Sequence, residues 1–313
     1  MRNFYAIVHA HFFYIFARME LSEKYRTVNV LGNQAVRKFG TVSLIEDTAT
    51  GQQKVMKQLV RNDHNQHIAE RLERESSFNF QLCGLPRVTE FIKTDREIVL
   101  VKAFVEGIPL DDYWQTIPRK QRMDQLFHIL KALFPLFQVL HEQHIVHCDI
   151  KPSNILIEKK DDSISCHLID FGMAIRCNEN KHFKLLFPLG YAAPELILNR
   201  LELLDHTSDL YALGIAIWKL FTGTLPLTHP NPSIFTNLQL TYPLPDHSDL
   251  PKGLYPILQK MCDKHQFKTA PNRMKIEEVD PLLRKAQQNR YQSLQEMIAD
   301  LQKIPQKKSW WPF

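Results

Sequence analysis

The sequence predicts an α+β fold made of two lobes, because two regions of the chain carry different patterns. From Tyr25 to Val105, short runs rich in β-branched residues predict strands, and one helical pattern at about residues 64–82 interrupts them. After Gly107 the chain changes to long apolar stretches with helical spacing. The clearest of these stretches lie at about residues 121–143, 207–222 and 293–303. We therefore expect a small β-rich lobe with one main helix, followed by a larger α-helical lobe.

These patterns divide the chain into four segments. We expect a small lobe at residues 19–106 and a large lobe at residues 107–304, flanked by an extension at 1–18 and an aromatic tail at 305–313. Because a more ordinary sequence opens at Met19, we expect the extension to lie upstream of the true start and not to be translated. We expect the tail KKSWWPF to fold against the large lobe. Contact with a membrane surface is the alternative for both aromatic-rich ends.

The composition excludes several classes of protein. Of the 313 residues, 44% are hydrophobic and only 23% are charged, which excludes wholesale disorder. The net charge of +5 is small and spread along the chain, so we predict no nucleic-acid partner. No stretch reaches the roughly 20 apolar residues that a membrane span needs. The five cysteines form no C-x-x-C pair, which argues against a disulfide framework and favours a reducing, cytoplasmic location.

Three short motifs carry the chemistry. The stretch LHEQHIVHCDIKPSNILI places Asp149, Lys151 and Asn154 within six residues of one another. The stretch LIDFG follows, with Asp170 sixteen residues after Asn154, and YAAPE comes next. In this order and spacing the motifs resemble those of the protein kinase superfamily, over about residues 25–303. The segment DIKPSN resembles eukaryotic-like serine/threonine kinases in particular, and the compact large lobe is similar to the bacterial ones.

The resemblance implies a bilobal protein-kinase-like fold that transfers the γ-phosphate of ATP to a protein hydroxyl. Asp149 would accept or orient the proton of the substrate hydroxyl, and Lys151 would neutralise charge on the transferring phosphoryl group. Asn154 and Asp170 would supply oxygen ligands to Mg²⁺ or Mn²⁺. Two alternatives stay open: a pseudokinase that acts as a binding scaffold, and a small-molecule kinase on the same fold.

The small lobe is expected to hold the nucleotide. Lys57 lies in KVMK, which resembles the V-A-I-K strand of the family. Ile68, Leu72 and Glu75 follow at i, i+4 and i+7, so Glu75 lies on the inward apolar stripe of the predicted helix. A carboxylate on such a stripe requires a cation. We expect Lys57 to supply it, with Glu73 as the reserve for the carboxylate.

The resemblance also implies further nucleotide contacts, although the glycine-rich loop LGNQAVRKFGTV departs from the family pattern. Counted back from Gly40, the other two glycine positions hold Ala35 and Arg37; alternatively, Gly32 is the first glycine and the loop carries an insertion. Glycine permits a close backbone approach to phosphates that other residues resist. The other residues expected to bind the nucleotide are Gly32, Gly40, Val42, Phe104 and Val105.

Two departures from the family concern regulation. Cys148 stands where many kinases have an arginine that meets a phosphorylated residue. The segment from Met173 to Gly190 contains no serine, threonine or tyrosine. The two absences agree, since without a phosphate the arginine has no anionic partner. We therefore expect a non-RD enzyme that is not switched on by phosphorylation of this segment. Pro188 replaces the threonine that usually precedes the A-P-E segment, which keeps the small-molecule alternative open.

Three more positions follow from the resemblance. Lys102 falls at the back of the adenine pocket, or a one-residue slip places Val101 there. Asp209 is expected to anchor the catalytic loop, and Glu195 is expected to pair with Arg290.

Overall fold

A computed structural model describes residues 21–31, 40–161, 163–177, 189–267, 269 and 271–304. The chain forms two compact units that adjoin in sequence between Glu106 and Gly107. The first unit holds an antiparallel sheet with one main helix, and the second is mostly helical. The predicted α+β class is therefore confirmed.

Five antiparallel strands build the sheet of the first unit. They are β1 (Tyr25–Val30), β2 (Thr41–Asp47), β3 (Gln53–Val60), β4 (Val88–Lys93) and β5 (Glu97–Ala103). Their order across the sheet is β1-β2-β3-β5-β4, so β5 is an inner strand between β3 and β4. Helix α1 (Gln66–Ser76) connects β3 to β4 along the chain.

The two faces of β5 meet different neighbours. Ile98 and Leu100 pack with Leu72 of α1 in one buried cluster, whereas Val101 belongs to a cluster on the other face. Because successive side chains of a strand point to opposite faces, Lys102 lies on the face that carries α1. The strand register therefore decides which β5 residues reach the helix.

Helix α1 ends at Ser76, earlier than the helical pattern at about residues 64–82 predicts. Phe78 and Phe80 are both buried in the first unit. Residues two apart on a helix point in nearly opposite directions, whereas an extended chain places both on one side. Burial of both rings therefore requires the chain to leave the helix before Phe78.

The second unit contains eight helices of four residues or more within the described ranges. They are α2 (Leu110–Thr116), α3 (Arg122–Glu142), α4 (Pro194–Ile197), α5 (His206–Thr222), α6 (Pro232–Thr241), α7 (Leu254–Met261), α8 (Ile276–Asn289) and α9 (Leu294–Gln302). The helices predicted at about residues 121–143, 207–222 and 293–303 are α3, α5 and α9. Helix α5 is buried on nearly all sides, which is typical of a helix at the centre of a core.

Two small sheets complete the second unit. Strands β6 (Ile108–Pro109), β8 (Ile155–Lys160) and β9 (Ser163–Leu168) form one sheet in the order β6-β8-β9. Strand β7 (Ile145–Val146) pairs with β10 (Ile175–Arg176) in the other. Among the described residues, no helix combines the length and the apolarity needed to cross a membrane.

Several predicted features fall outside the described residues. They are the extension at 1–18, the tail at 305–313, most of the segment between Met173 and Gly190, and the loop and substrate-platform positions Gly32, Ala35, Arg37 and Pro188.

Candidate active site

In the first unit, the structure brings Lys57 and Glu75 into contact. Lys57 lies in the middle of β3, and its Nζ donates to Oε1 and Oε2 of Glu75 at 2.9 and 2.7 Å. Glu75 lies in the last turn of α1 and is only 1% exposed. Ile68 and Leu72 are buried on the same side of the helix, as the periodicity predicts. Glu73, the reserve carboxylate, instead pairs with Lys93 at the surface, Nζ to Oε1 2.6 Å.

A second lysine shares the Glu75 carboxylate. Lys102 is buried, and its Nζ donates to Oε1 of Glu75. Val101 points to the opposite face, so the residue that approaches α1 from this part of β5 is Lys102. The contact depends on the pairing of β3 with β5, which places Val55 opposite Lys102 and Lys57 opposite Leu100.

Gly40 precedes β2 in a backbone conformation that favours glycine. Its φ is +82°, and a Cβ at this position would lie 2.3 Å from the carbonyl oxygen of Gln58. A side chain here would therefore push β2 away from β3. Val42, two residues later, lies opposite Lys57 in the register of these strands.

Phe104 and Val105 follow the end of β5. The Phe104 backbone N–H donates to the carbonyl oxygen of Gln53 at 3.4 Å, which holds the start of this segment to β3. Both side chains are partly exposed.

In the second unit, Asp149 is held by two neighbours from its own loop. The loop lies between β7 and the short 3₁₀ turn Pro152–Asn154, and Asp149 is 3% exposed. Lys151 Nζ donates to both carboxylate oxygens at 2.9 Å. Asn154 Nδ2 donates to the Asp149 carbonyl oxygen at 2.9 Å and to Oδ2 at 2.8 Å. The carboxylate is thus fixed in one orientation by local contacts.

The pairing of β8 with β9 brings Asn154 and Asp170 to the same end of one sheet. Ile155 lies opposite Leu168, and the Ile169 N–H donates to the Asn154 carbonyl oxygen at 3.0 Å. Asn154 uses its amide nitrogen on Asp149, so its Oδ1 is the atom suited to ligate a cation. Asp170 has a φ of +64° and begins the 3₁₀ turn Phe171–Met173. An amide oxygen and a carboxylate are oxygen donors of the kind that Mg²⁺ prefers.

Asp209 of α5 holds the backbone of the loop that carries Asp149. Its carboxylate accepts from the N–H groups of His147 and Cys148 at 2.7 and 3.0 Å. Burial raises the pKa of Asp209 to about 7, although the two backbone bonds act in the opposite direction. These bonds span some sixty residues of sequence, so they tie the loop to the central helix of the unit.

His147 lies between the two motifs of the second unit. Its ring packs edge-to-face on Phe171 with centroids 4.5 Å apart. Its Nδ1 accepts from the Asp149 N–H at 3.3 Å, so its Nε2 donates to the Ile169 carbonyl oxygen at 3.1 Å. Burial lowers the pKa of His147, which favours this neutral form. His147 therefore joins the Asp149 loop to the segment that carries Asp170.

The protein kinase domain family matches residues 25–291. The chain belongs to this family. The match includes both the Lys57–Glu75 pair and the Asp149 loop.

Curated protein kinases from three kingdoms of life are similar to the chain. It is 28% identical over 244 residues to the Sucrose non-fermenting protein kinase 1 of Fusarium virguliforme, which covers 76% of the chain and 33% of that protein. It is 27% identical over 264 residues to the Serine/threonine-protein kinase pkn2 of Myxococcus xanthus, covering 79% of the chain and 31% of that protein. It is 28% identical over 242 residues to the Serine/threonine protein kinase OSK3 of Oryza sativa subsp. indica, covering 75% of the chain and 47% of that protein. The chain thus spans less than half the length of each of these kinases.

Cys148 of this kinase-family chain packs in an apolar cluster. The residue is buried with a φ of +62°, and it lies in one cluster with Met173, Ile175 and Leu196. The side chain therefore meets apolar neighbours at the position where many family members have an arginine. Sequence reasoning identified the substitution but not these neighbours, which come from distant parts of the chain.

A further buried carboxylate of this kinase-family chain, Glu195, lies outside the loop that carries Asp149. Glu195 and Arg290 are both buried, with Nη1 to Oε1 at 2.6 Å and Nη2 to Oε2 at 3.0 Å. Ser208 Oγ also donates to Glu195 Oε1 at 2.7 Å. Burial alone would raise the pKa of Glu195, but the Arg290 guanidinium lowers it overall.

Proposed function

We propose that this chain is an ATP-dependent serine/threonine protein kinase that transfers the γ-phosphate of ATP to a protein hydroxyl. The observation that carries the proposal is the buried Asp149 carboxylate, oriented by Lys151 and Asn154 beside the end of the sheet where Asp170 lies. Phosphoryl transfer requires little covalent work from a protein and depends on positioning and charge. Membership of the protein kinase domain family and the similar serine/threonine kinases support the same reaction.

In this proposal, Asp149 receives or orients the proton of the substrate hydroxyl. The ammonium group of a lysine has three N–H donors. Lys151 directs two of them to the two carboxylate oxygens of Asp149. A third donor of Lys151 can therefore turn to the transferring phosphoryl group without releasing the carboxylate. This arrangement couples the position of the base to the position of the phosphate charge.

A divalent cation, when bound, would neutralise the charge of the ATP phosphates. Asn154 Oδ1 and the Asp170 carboxylate would hold it. Mg²⁺ typically takes few protein ligands and completes its shell with phosphate oxygens and water. We propose Mg²⁺, with Mn²⁺ as a substitute. Lys57, oriented by Glu75, would bind the phosphates, and the other proposed nucleotide contacts are Gly32, Gly40, Val42, Phe104 and Val105.

We also propose that the enzyme is of the non-RD type and needs no phosphorylation between Met173 and Gly190. Among the described residues, the side chains that cluster with Cys148 are apolar, and the segment itself has no hydroxyl to modify. The positions of Met173 and Ile175 are instead held by burial against Cys148.

The first experiment incubates the purified full chain with γ-labelled ATP and Mg²⁺, with and without a basic protein substrate, beside Asp149→Ala. We expect label on protein with the unmodified chain and a loss of about 10³-fold or more in the variant. Mg²⁺-dependent ATP binding without transfer to protein would favour the small-molecule kinase or the scaffold alternative. No nucleotide binding at all would favour the scaffold alternative, for which the departure of the glycine-rich loop from the family pattern is the specific argument.

The second experiment tests the regulatory part of the proposal. Protein treated with phosphatase and verified by mass spectrometry to carry no phosphate should retain its transfer rate. Cys148→Ser, treated with phosphatase in the same way, is the control for any effect of the procedure on the buried thiol. A rate that disappears after phosphatase treatment and returns with phosphate between Met173 and Gly190 would contradict the non-RD assignment.

Residues 19–106 and 107–304 are proposed to be the two catalytic lobes, and residues 1–18 and 305–313 are proposed to take no part in catalysis. The proposed partner is a protein substrate, with no nucleic acid, in the cytoplasm. Deletion of either end should leave the transfer rate unchanged within about twofold.

A further inference from the structure

Two cations converge on one buried carboxylate in the first unit. Lys57 Nζ contacts both oxygens of Glu75, and Lys102 Nζ contacts Oε1. The side-chain exposures of Lys57, Lys102 and Glu75 are only 18%, 10% and 2%. Two ammonium groups this close repel each other, so a single lysine would satisfy the carboxylate at lower electrostatic cost. The second lysine therefore calls for a specific explanation.

The strand register makes the shared contact a built feature of the sheet. Strands β3 and β5 are hydrogen-bonded neighbours, with Lys57 opposite Leu100 and Lys102 opposite Val55. Both lysines consequently leave the same face, on adjacent strands, towards the same turn of α1. Neither position can change face unless the whole strand shifts its register.

The end of α1 that meets the lysines also favours positive charge. Glu75 lies in the last turn of the helix, where the backbone carbonyl groups give the helix end a partial negative charge. A cation placed there interacts with both the carboxylate and the helix end. This explains how the site tolerates two lysines, although it does not explain why both are needed.

The proposed function explains why a second lysine is needed beside Glu75. If Lys57 binds ATP phosphates, as we propose above, its ammonium has to serve two anions. Breaking a buried ion pair by withdrawing one partner is strongly unfavourable because it leaves an uncompensated charge. With Lys102 in place, Glu75 keeps a cation while Lys57 turns to the phosphates.

We propose that Lys102 is a second anchor for α1, so that attachment of the helix to the sheet does not depend on Lys57 alone. Lys102 acts through Glu75 and is a positioning residue. Its contribution to catalysis rests on the proposed kinase function, whereas the anchoring is a property of the first unit and is testable without ATP.

The test measures amide hydrogen exchange of α1 in the unmodified full chain and in three variants of it: Lys57→Met, Lys102→Met and the double variant. Met keeps the length of the side chain and removes the charge. We expect each single variant to speed exchange of the α1 amides by less than about threefold and the double variant by about thirtyfold or more. The proposal is overturned if either single variant speeds exchange as much as the double, or if the double equals the product of the singles.

A matched control uses another lysine of β3. Lys54 Nζ pairs with Asp47 Oδ2 at 2.7 Å, in an ion pair that does not include α1. Lys54→Met should leave α1 exchange unchanged in every background. A change equal to that of Lys102→Met would assign the effect to general loss of sheet charge and contradict the proposal.

A second double-mutant cycle, between Lys102 and Glu75, tests the proposal if the double lysine variant fails to fold. Glu75→Gln removes the buried charge, so cations are no longer required around it. Lys102→Met should lower the thermal midpoint of the unmodified chain and have a clearly smaller effect in the Glu75→Gln background. Equal shifts in the two backgrounds would show that Lys102 acts by packing and would overturn the anchor.

Kinetics separate the anchor from the proposed kinase function. In an active enzyme, Lys102→Met should raise KM for ATP by about tenfold with kcat within about twofold, because Lys57 must then serve both anions. Lys102→Arg, which keeps the charge, should restore KM at least in part. An unchanged KM would overturn the catalytic role of Lys102. If the exchange results are as expected but no phosphate is transferred, the anchor stands and the proposed function fails.

Discussion

Glu75 in the first unit and Glu195 in the second are both buried carboxylates, but their charges are compensated in different ways. In the second unit, Glu195 meets a planar guanidinium that matches both oxygens at once, and Arg290 Nε also donates to the carbonyl oxygen of Asp263 at 2.9 Å. In the first unit, Glu75 meets two ammonium groups. A guanidinium forms a rigid fork, whereas an ammonium on a flexible stem is a mobile point charge.

We infer that the Glu195 site keeps its cation, whereas the Glu75 site can release Lys57 to the ATP phosphates that we propose it binds. The Glu195–Arg290 pair is fully buried. It joins α4 to the residue that directly follows α8. The Glu75 site retains some exposure at each lysine. We expect substitutions at Glu195 and Arg290 to lower stability strongly, and single substitutions at the Glu75 lysines to affect nucleotide chemistry more than stability.

The largest expected effect is that of Arg290→Met on stability. The substitution leaves Glu195 buried without its cation, so we expect the free energy of unfolding to fall by about 3–5 kcal/mol. Chemical denaturation measures the change. Arg290→Lys should recover only part of the loss, because an ammonium cannot match both carboxylate oxygens and Asp263. Full recovery would contradict the contrast between the two sites.

Next in size is the effect of Lys57→Met on phosphate transfer. We expect kcat/KM to fall by about 10²–10³-fold, while the free energy of unfolding changes by less than about 1 kcal/mol because Lys102 still compensates Glu75. Steady-state kinetics and urea denaturation of the same preparation measure both quantities. A loss of stability as large as that of Arg290→Met would remove the distinction between the sites.

A smaller, pH-dependent effect is expected at Lys264, a buried lysine near Arg290. Its Nζ donates to the Gln239 carbonyl oxygen at 2.6 Å, and burial lowers its pKa to about 8. Between pH 8 and the usual lysine pKa of 10.5, the unfolded chain binds more protons than the folded one, so the Lys264 contribution to stability rises with pH. The free energy of unfolding relative to Lys264→Met should therefore increase by about 1–3 kcal/mol from pH 7.5 to 10.5. A difference that stays constant over this range would show that Lys264 titrates normally in the folded chain.

The smallest effect is expected at Glu73, the neighbour of Glu75 on the exposed side of α1. Its pair with Lys93 is at the surface, so Glu73→Gln should cost less than about 1 kcal/mol and leave phosphate transfer unchanged. The same assays measure it. A large loss of transfer would mean that α1 is oriented by its outer face and not by Glu75.

The parts of the site that were predictable from sequence depend on short-range patterns. Asp149, Lys151 and Asn154 lie within one loop, and their mutual hydrogen bonds follow from that proximity. The position of Glu75 on the buried side of α1 follows from helical spacing alone. The fold class is similarly local, because strand and helix patterns occupy separate parts of the chain.

The parts that were not predictable depend on pairing between distant segments. The approach of Lys102 to Glu75 requires the register of β3 with β5 and the position of α1 on that sheet. Strand register is set by long-range packing, which a single sequence does not reveal. The early end of α1 is also a long-range feature, since Phe78 and Phe80, which follow the helix, are both buried.

The most direct test of the account is phosphoamino-acid analysis of the labelled product. The full chain is incubated with γ-labelled ATP, Mg²⁺ and a basic protein substrate, and the hydrolysed product is separated. We predict phosphoserine and phosphothreonine from the unmodified chain and a signal at background from Asp149→Asn. Equal label from the variant, or label on tyrosine alone, would contradict the account.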